Sequence, residues 1–168
     1  MVENSLFRWS LRSFGLLQSR RSGSLSCALL LVLGFIVMAR EAPGQTKDEA
    51  AVRAVLEAQA AAWNRGDIDG YMDGYDRSPR TEFVGGDSIT RGWQEVLDRY
   101  KKRYDTRDKM GALTFSDLEI TLLGKDAAMV LGRWRLKRAS DEPHGTFTLL
   151  FRKSKAGWRI VHDHTSTA

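Results

Sequence analysis

Cysteine is all but missing from this 168-residue chain. The single copy, Cys27, lies in an apolar stretch near the amino terminus, so no intramolecular disulfide can form and cysteine usage says nothing about redox compartment. Histidine is scarce as well: His144, His162 and His164 all fall in the last 25 residues. A strong charge excess is missing where it would matter. The net charge is +5, but residues 1–45 hold five arginines against Glu3 and Glu41, which leaves +2 on the remainder. The basic balance therefore belongs largely to the amino-terminal segment, and nucleic acid is not an expected partner. There are no internal repeats and no low-complexity segments. No apolar run reaches the roughly 20 residues of a membrane-spanning helix.

The longest apolar run, Leu25–Ala39, has 15 residues without a charge, and arginines precede it. That is the length and polarity of a signal-peptide core. Val37-Met38-Ala39 and Ala42-Pro43-Gly44 both place small residues at cleavage spacing, and Ser19-Arg20-Arg21 is a loose twin-arginine match. Cys27 lies near the start of the run rather than after it, so a lipoprotein signal does not fit. Residues 1–45 are thus read as an export leader, with retention as a membrane anchor as the alternative, and residues 46–168 as one domain. The expected location is periplasmic or extracellular, with membrane contact only through an uncleaved leader.

The domain opens on Thr46-Lys47-Asp48-Glu49, a capping box. Val52, Val55, Leu56, Ala60 and Trp63 then recur at helical spacing, with Gln59 as the polar exception. Asn64-Arg65-Gly66 stops this helix. Asp67 can cap a second one with Ile68, Tyr71, Met72 and Tyr75 on its face, ended by Ser78-Pro79. Thr81–Val84 reads as a short strand and Gly85-Gly86-Asp87 as a turn. Thr90 can cap a third helix bearing Trp93, Val96, Leu97, Tyr100 and Tyr104 inward, with Arg99, Lys101, Lys102 and Arg103 on its outer face. After Met110 the period becomes two, and four strands follow: Leu113–Leu123, Ala127–Arg138, Thr146–Lys153 and Trp158–Thr165. Helices first and an antiparallel meander second make an α+β domain.

The last strand, around which the domain is organised, carries apolar and polar groups on both faces. Simple alternation puts Trp158, Ile160, His162 and His164 on one side and Arg159, Val161, Asp163 and Thr165 on the other. His162 and His164 would then stand about 7 Å apart on one face. A metal needs at least a third ligand, so no metal site is assigned; structural hydrogen bonding or a general acid–base role for His162 are the competing readings. Asp163, pointing away from His162, does not form a dyad with it. Trp63, Tyr71 and Tyr75 face inward as core aromatics or as pocket lining. Asp67 is most simply a cap and Asp69 and Asp76 a solvated face, which leaves Asp73 as the candidate base among the acidic residues of the second helix. Arg133, Arg135, Lys137 and Arg138 form a basic edge, read as a solvated face or dimer rim.

Trp63-Asn64-Arg65-Gly66-Asp67, Arg91-Gly92-Trp93 after a short strand, and a meander ending in Trp158-Arg-Ile-Val-His-Asp-His-Thr-Ser166 together resemble the nuclear-transport-factor-2-like superfamily. Within it, the SnoaL-like proteins and the association domain of calcium/calmodulin-dependent kinase are the most similar. The resemblance implies a cone: a strongly bent antiparallel sheet wrapped around three N-terminal helices, enclosing a pocket, with an outer sheet face that commonly forms a homodimer. It implies that Tyr71 faces the pocket and that Trp134 and Leu149 occupy places held by arginines in the association domain. On that basis the ligand is expected to be a small apolar or aromatic molecule rather than an anion. Apolar residues assigned to both faces of the first long strand (Leu118, Ile120 and Leu122 against Leu113, Phe115 and Leu123) support a dimer through the outer face. No cofactor is implied. Ketosteroid isomerases of this superfamily pair a carboxylate base with a phenol donor, and their full constellation is not found here. Two functions remain: a ligand-binding domain without catalysis, and an isomerase, dehydratase or cyclase acting on a small carbonyl compound. The candidate catalytic residues are Tyr71, Asp73 and His162; the candidate ligand-binding residues are Trp63, Tyr71, Tyr75, Trp134, Leu149 and His162.

Overall fold

The computed structural model describes residues 46–168, so the leader assignment lies outside the described residues. Helix α1 (Lys47–Asn64) starts on the expected capping box: the Glu49 backbone N–H donates to Thr46 Oγ1 at 3.2 Å, and the Thr46 N–H donates to Glu49 Oε2 at 2.7 Å. One face of α1 buries Val52, Leu56, Gln59, Ala62 and Trp63. Helix α2 (Ile68–Met72) is shorter than the apolar spacing suggests. Its cap is Asp67, whose carboxylate accepts the Gly70 N–H at 2.7 Å. Tyr75, assigned to the α2 face, instead forms an isolated parallel bridge with Ile160. The chain thus leaves α2 directly onto the sheet.

Strands β1 (Glu82–Gly85) and β2 (Ser88–Arg91) form a hairpin. β2 was not anticipated: Thr90, expected to cap the third helix, pairs with Phe83, and the cap of α3 (Trp93–Arg103) is Gly92, with φ 97° and no side-chain cap bond. The segment Ser-Ile-Thr-Arg is short and half β-branched, so tertiary pairing decides its state. A single turn, α4 (Arg107–Met110), follows α3. The meander is β3 (Ala112–Leu122), β4 (Ala127–Lys137), β5 (His144–Ser154) and β6 (Gly157–Thr165).

All six strands share one sheet in the order β2-β1-β6-β5-β4-β3. The sheet is mixed rather than wholly antiparallel, because β1 lies parallel to β6, Glu82 opposite His162 and Gly85 opposite Thr165. It is curled, unclosed, and packed over α1–α3 on its inner face.

Two bulges change which residues face inward. In β3 the register shifts between Ser116 and Glu119, with Asp117 at φ 51°, inserting one extra residue opposite β4. In β6 both Ile160 and His162 find partners on consecutive β5 residues, Phe151 and Leu150, so Val161 is the extra residue. Each bulge reverses the phase of alternation and sharpens the local bend. Leu113 and Phe115, ahead of the first bulge, therefore pack on the same core as Leu118, Ile120 and Leu122 beyond it. The expectation that Leu113 and Phe115 face away from Leu118, Ile120 and Leu122 is corrected; Leu123, the third member of the first group, lies just past β3 and is 55% exposed. The outer face carries instead Met129 and Leu131, 38% and 42% exposed.

Candidate functional site

Between the inner sheet face and the helices lies a cavity of about 290 Å³. Its aromatic wall is built from the helices. Trp63, on the last turn of α1, is 2% exposed and fixed by its indole N–H, which donates to the Met110 carbonyl at 3.1 Å. Tyr71, Tyr100 and Tyr104 meet it at centroid distances of 5.1, 6.1 and 4.7 Å, each edge-on. Gln59, the polar exception on α1, is 1% exposed and donates to the Tyr71 carbonyl at 2.9 Å, which pins α2 against α1 and sets the angle at which Tyr71 enters the cavity.

The sheet supplies the opposite wall. Trp134 on β4 and Leu149 and Phe147 on β5 line it. Gly132 makes room there: a Cβ on it would fall 2.5 Å from the Phe147 ring and 2.8 Å from Leu118. Trp134 donates its indole N–H to the Ser166 carbonyl at 2.9 Å, which ties the carboxy-terminal segment across this end of the sheet.

One carboxyl reaches the cavity, and it is Asp163, 3% exposed. The Tyr75 hydroxyl donates to Asp163 Oδ2 at 2.6 Å and the Thr165 hydroxyl to Oδ1 at 2.7 Å. Burial pushes the Asp163 pKa up, against the two hydroxyl donors, which pull it down. The same burial, together with the charge of Asp163, pushes the phenols of Tyr71, Tyr75 and Tyr100 above their ordinary value, so they remain protonated donors. The Tyr71 and Tyr100 hydroxyls lie 3.5 Å apart, a long contact that leaves either free to turn toward a guest.

The structure thus brings Trp63, Tyr71, Tyr75, Trp134 and Leu149 around one cavity. It does not bring His162 or Asp73 there. Val161 bulges out and inverts the end of β6, so His162 faces outward, 38% exposed in its side chain, with Nδ1 3.1 Å from Glu82 Oε2. His164, on the same outward side, is exposed. Asp73 caps the carboxy-terminal end of α2 and accepts from Arg77 at 2.9 Å in an exposed ion pair. The carboxyl at the cavity is therefore Asp163, which alternation had set aside. Tyr100 and Thr165 were also missed as site residues. Tyr100 was signalled by its place on the inward face of the third helix; the pairing of a carboxyl and a hydroxyl at positions 163 and 165 acquires meaning only once the bulge is known.

Arg99 and Arg103 also differ from expectation. Both reach the cavity, Arg99 half-buried and Arg103 from the solvent-exposed rim of α3. The Arg99 guanidinium lies 4.8 Å over the Phe83 ring and that of Arg103 lies 5.7 Å from the Tyr104 ring centroid. The cavity is thus mainly aromatic, with one carboxyl held by two hydroxyls and two cations. Such a site can orient a mostly apolar molecule, donate hydrogen bonds from phenols, and hold or move one proton at Asp163.

The profile of the SnoaL-like domain matches residues 52–168. Among solved structures, an NTF-2 like protein of unknown function from Shewanella oneidensis is similar at 42% identity, covering 70% of this chain and 97% of that one, with a TM-score of 0.67. A ketosteroid isomerase-like protein from Erwinia carotovora atroseptica is 21% identical over 73% of this chain and 97% of its own, TM-score 0.59. A protein of unknown function with a cystatin-like fold from Nostoc punctiforme is 14% identical over 72% and 91%, TM-score 0.59. These last two likenesses are of fold alone. Among curated proteins there is no match.

Proposed function

The chain belongs to the SnoaL-like family, and from that premise we propose that residues 46–168 bind one small molecule, aromatic or aliphatic over most of its surface, inside the curled sheet. The observation that carries this reading is the cavity of about 290 Å³, walled by Trp63, Tyr71, Tyr100 and Trp134 and reached by a single buried carboxyl. A concave, mainly aromatic space of this size with a few convergent polar groups is the common form of a small-molecule site. The neutral fluorophore N-phenyl-naphthylamine tests it: the protein should bind one equivalent with a blue-shifted emission. A Leu149→Trp variant, which fills the cavity, should abolish that binding while remaining folded. Binding that survives in the filled variant would place the fluorophore elsewhere and refute the reading.

A second reading, proton transfer on a small carbonyl compound by an isomerase, dehydratase or cyclase, draws support from Asp163. Its raised pKa brings it closer to the working range of a general acid or base, and Tyr71 or Tyr100 could donate to a developing oxyanion. Under this reading Asp163→Asn lowers turnover by about 10²–10⁴-fold and leaves binding nearly unchanged. Export by the leader and a homodimer through the outer sheet face complete the proposal; the mass of the chain recovered outside the cytoplasm would report whether residues 1–45 have been removed.

A further inference from the structure

We propose that the ligand of this cavity carries a carboxylate, held by Arg99 and Arg103, with its apolar body lying against the aromatic wall. This rests on the cavity being a small-molecule site and specifies which molecules it takes. It runs against the expectation of a neutral ligand, which came from Trp134 and Leu149 replacing basic residues on the sheet side. The basic groups are present, but they come from the helix side.

Among the described residues, neither Arg99 nor Arg103 has a carboxylate within 4.0 Å. Their neighbour Lys101 does, pairing with Asp69 at 2.8 Å on the solvent side. Residues 99 and 103 are one helical turn apart on α3, so both guanidiniums serve one face. Each is held against an aromatic ring, Phe83 for Arg99 and Tyr104 for Arg103, which leaves the N–H edges available for an acceptor. Gly85 helps to place the first: a Cβ there would come 2.9 Å from the Phe83 ring and 3.3 Å from Arg99 Nη2. Gly86, also at the cavity, has nothing within 4 Å of its would-be Cβ, so the space opens there.

The cavity's own carboxyl does not answer these cations. Asp163 already accepts from Tyr75 and Thr165. The site therefore has two donor-rich cations with no acceptor assigned to them, beside an apolar chamber. A planar carboxylate on a hydrophobic body supplies that acceptor with the geometry guanidinium prefers.

The test uses the full chain and displacement of N-phenyl-naphthylamine by naphthoate and by naphthamide, which share shape and differ in charge. Naphthoate should displace the fluorophore at about tenfold lower concentration than naphthamide, as expected for one charge-assisted contact. In the Arg99→Gln, Arg103→Gln double variant that preference should vanish through weaker naphthoate binding, with naphthamide unchanged. The Arg99→Lys, Arg103→Lys variant should keep part of the preference, since charge remains and the fork geometry is lost. Equal displacement by the two compounds in the unmodified protein, or a preference that survives the glutamine variant, overturns the inference while the cavity reading stands. Failure of the fluorophore to bind at all overturns the cavity reading, and the inference falls with it.

Discussion

Asp163 has a raised pKa because it is buried, and that links it to stability. Below the ordinary aspartate value of about 3.9, folded and unfolded chains both hold the proton and the residue contributes no difference. As pH rises from there through the raised folded value, the unfolded chain releases its proton first, so folding loses stability across that window and does not regain it above. Asp163→Asn removes this dependence. Its melting temperature should therefore gain on the unmodified protein as pH rises from about 4 toward neutrality, measured by thermal unfolding across that range. Parallel pH profiles for the two proteins would show that Asp163 is not the linked group. At the same scale the sequence was readable for two aromatic residues: Trp63 and Tyr71 announce an inward face through helical spacing alone, whereas Tyr75 turns inward from a bridge to β6 rather than from a helix. Asp163 was not readable, because its direction depends on a bulge two residues earlier.

Among the elements, α1 and β6 anchor each other through Trp158, whose indole N–H donates to Asp48 Oδ1 at 3.2 Å near the start of the helix. Trp63 does the same work at its end by bonding to Met110. With 2% and 3% exposure, truncation of Trp63 or Trp158 to alanine should each cost about 3–5 kcal/mol of stability in denaturant unfolding; a loss under about 1 kcal/mol would contradict their placement. The helices and the four long strands were legible because their periods of 3.6 and 2 are local properties of the chain. What escaped was non-local. β2 exists because Ser88–Arg91 pairs with β1, and the two bulges exist because β3 and β6 each carry one residue more than the strands beside them. Neither Asp117 nor Val161 marks its own insertion, so alternation counted across them assigns every later side chain to the wrong face.

For the whole molecule, the resemblance seen in the sequence carried the fold: a curled sheet around helices, in a member of the SnoaL-like family. The large apolar residues of β3, Leu113, Phe115, Leu118, Ile120 and Leu122, pack on the core and leave the outer face without them. Met129 and Leu131 on β4, exposed on the outer face, are the apolar residues a dimer would bury instead. Sedimentation of the domain at micromolar concentration should show a dimer, and Met129→Asp with Leu131→Asp should yield a folded monomer; an unmodified protein that sediments as a monomer contradicts this assembly. The central claim, a ligand inside the curled sheet, has a more direct probe in the tryptophan indole N–H resonances. Titration with naphthoate should shift the signals of Trp63 and Trp134, which line the cavity, and leave those of Trp93 and Trp158, which do not. Shifts confined to Trp93 and Trp158, or none at saturating naphthoate, would contradict it.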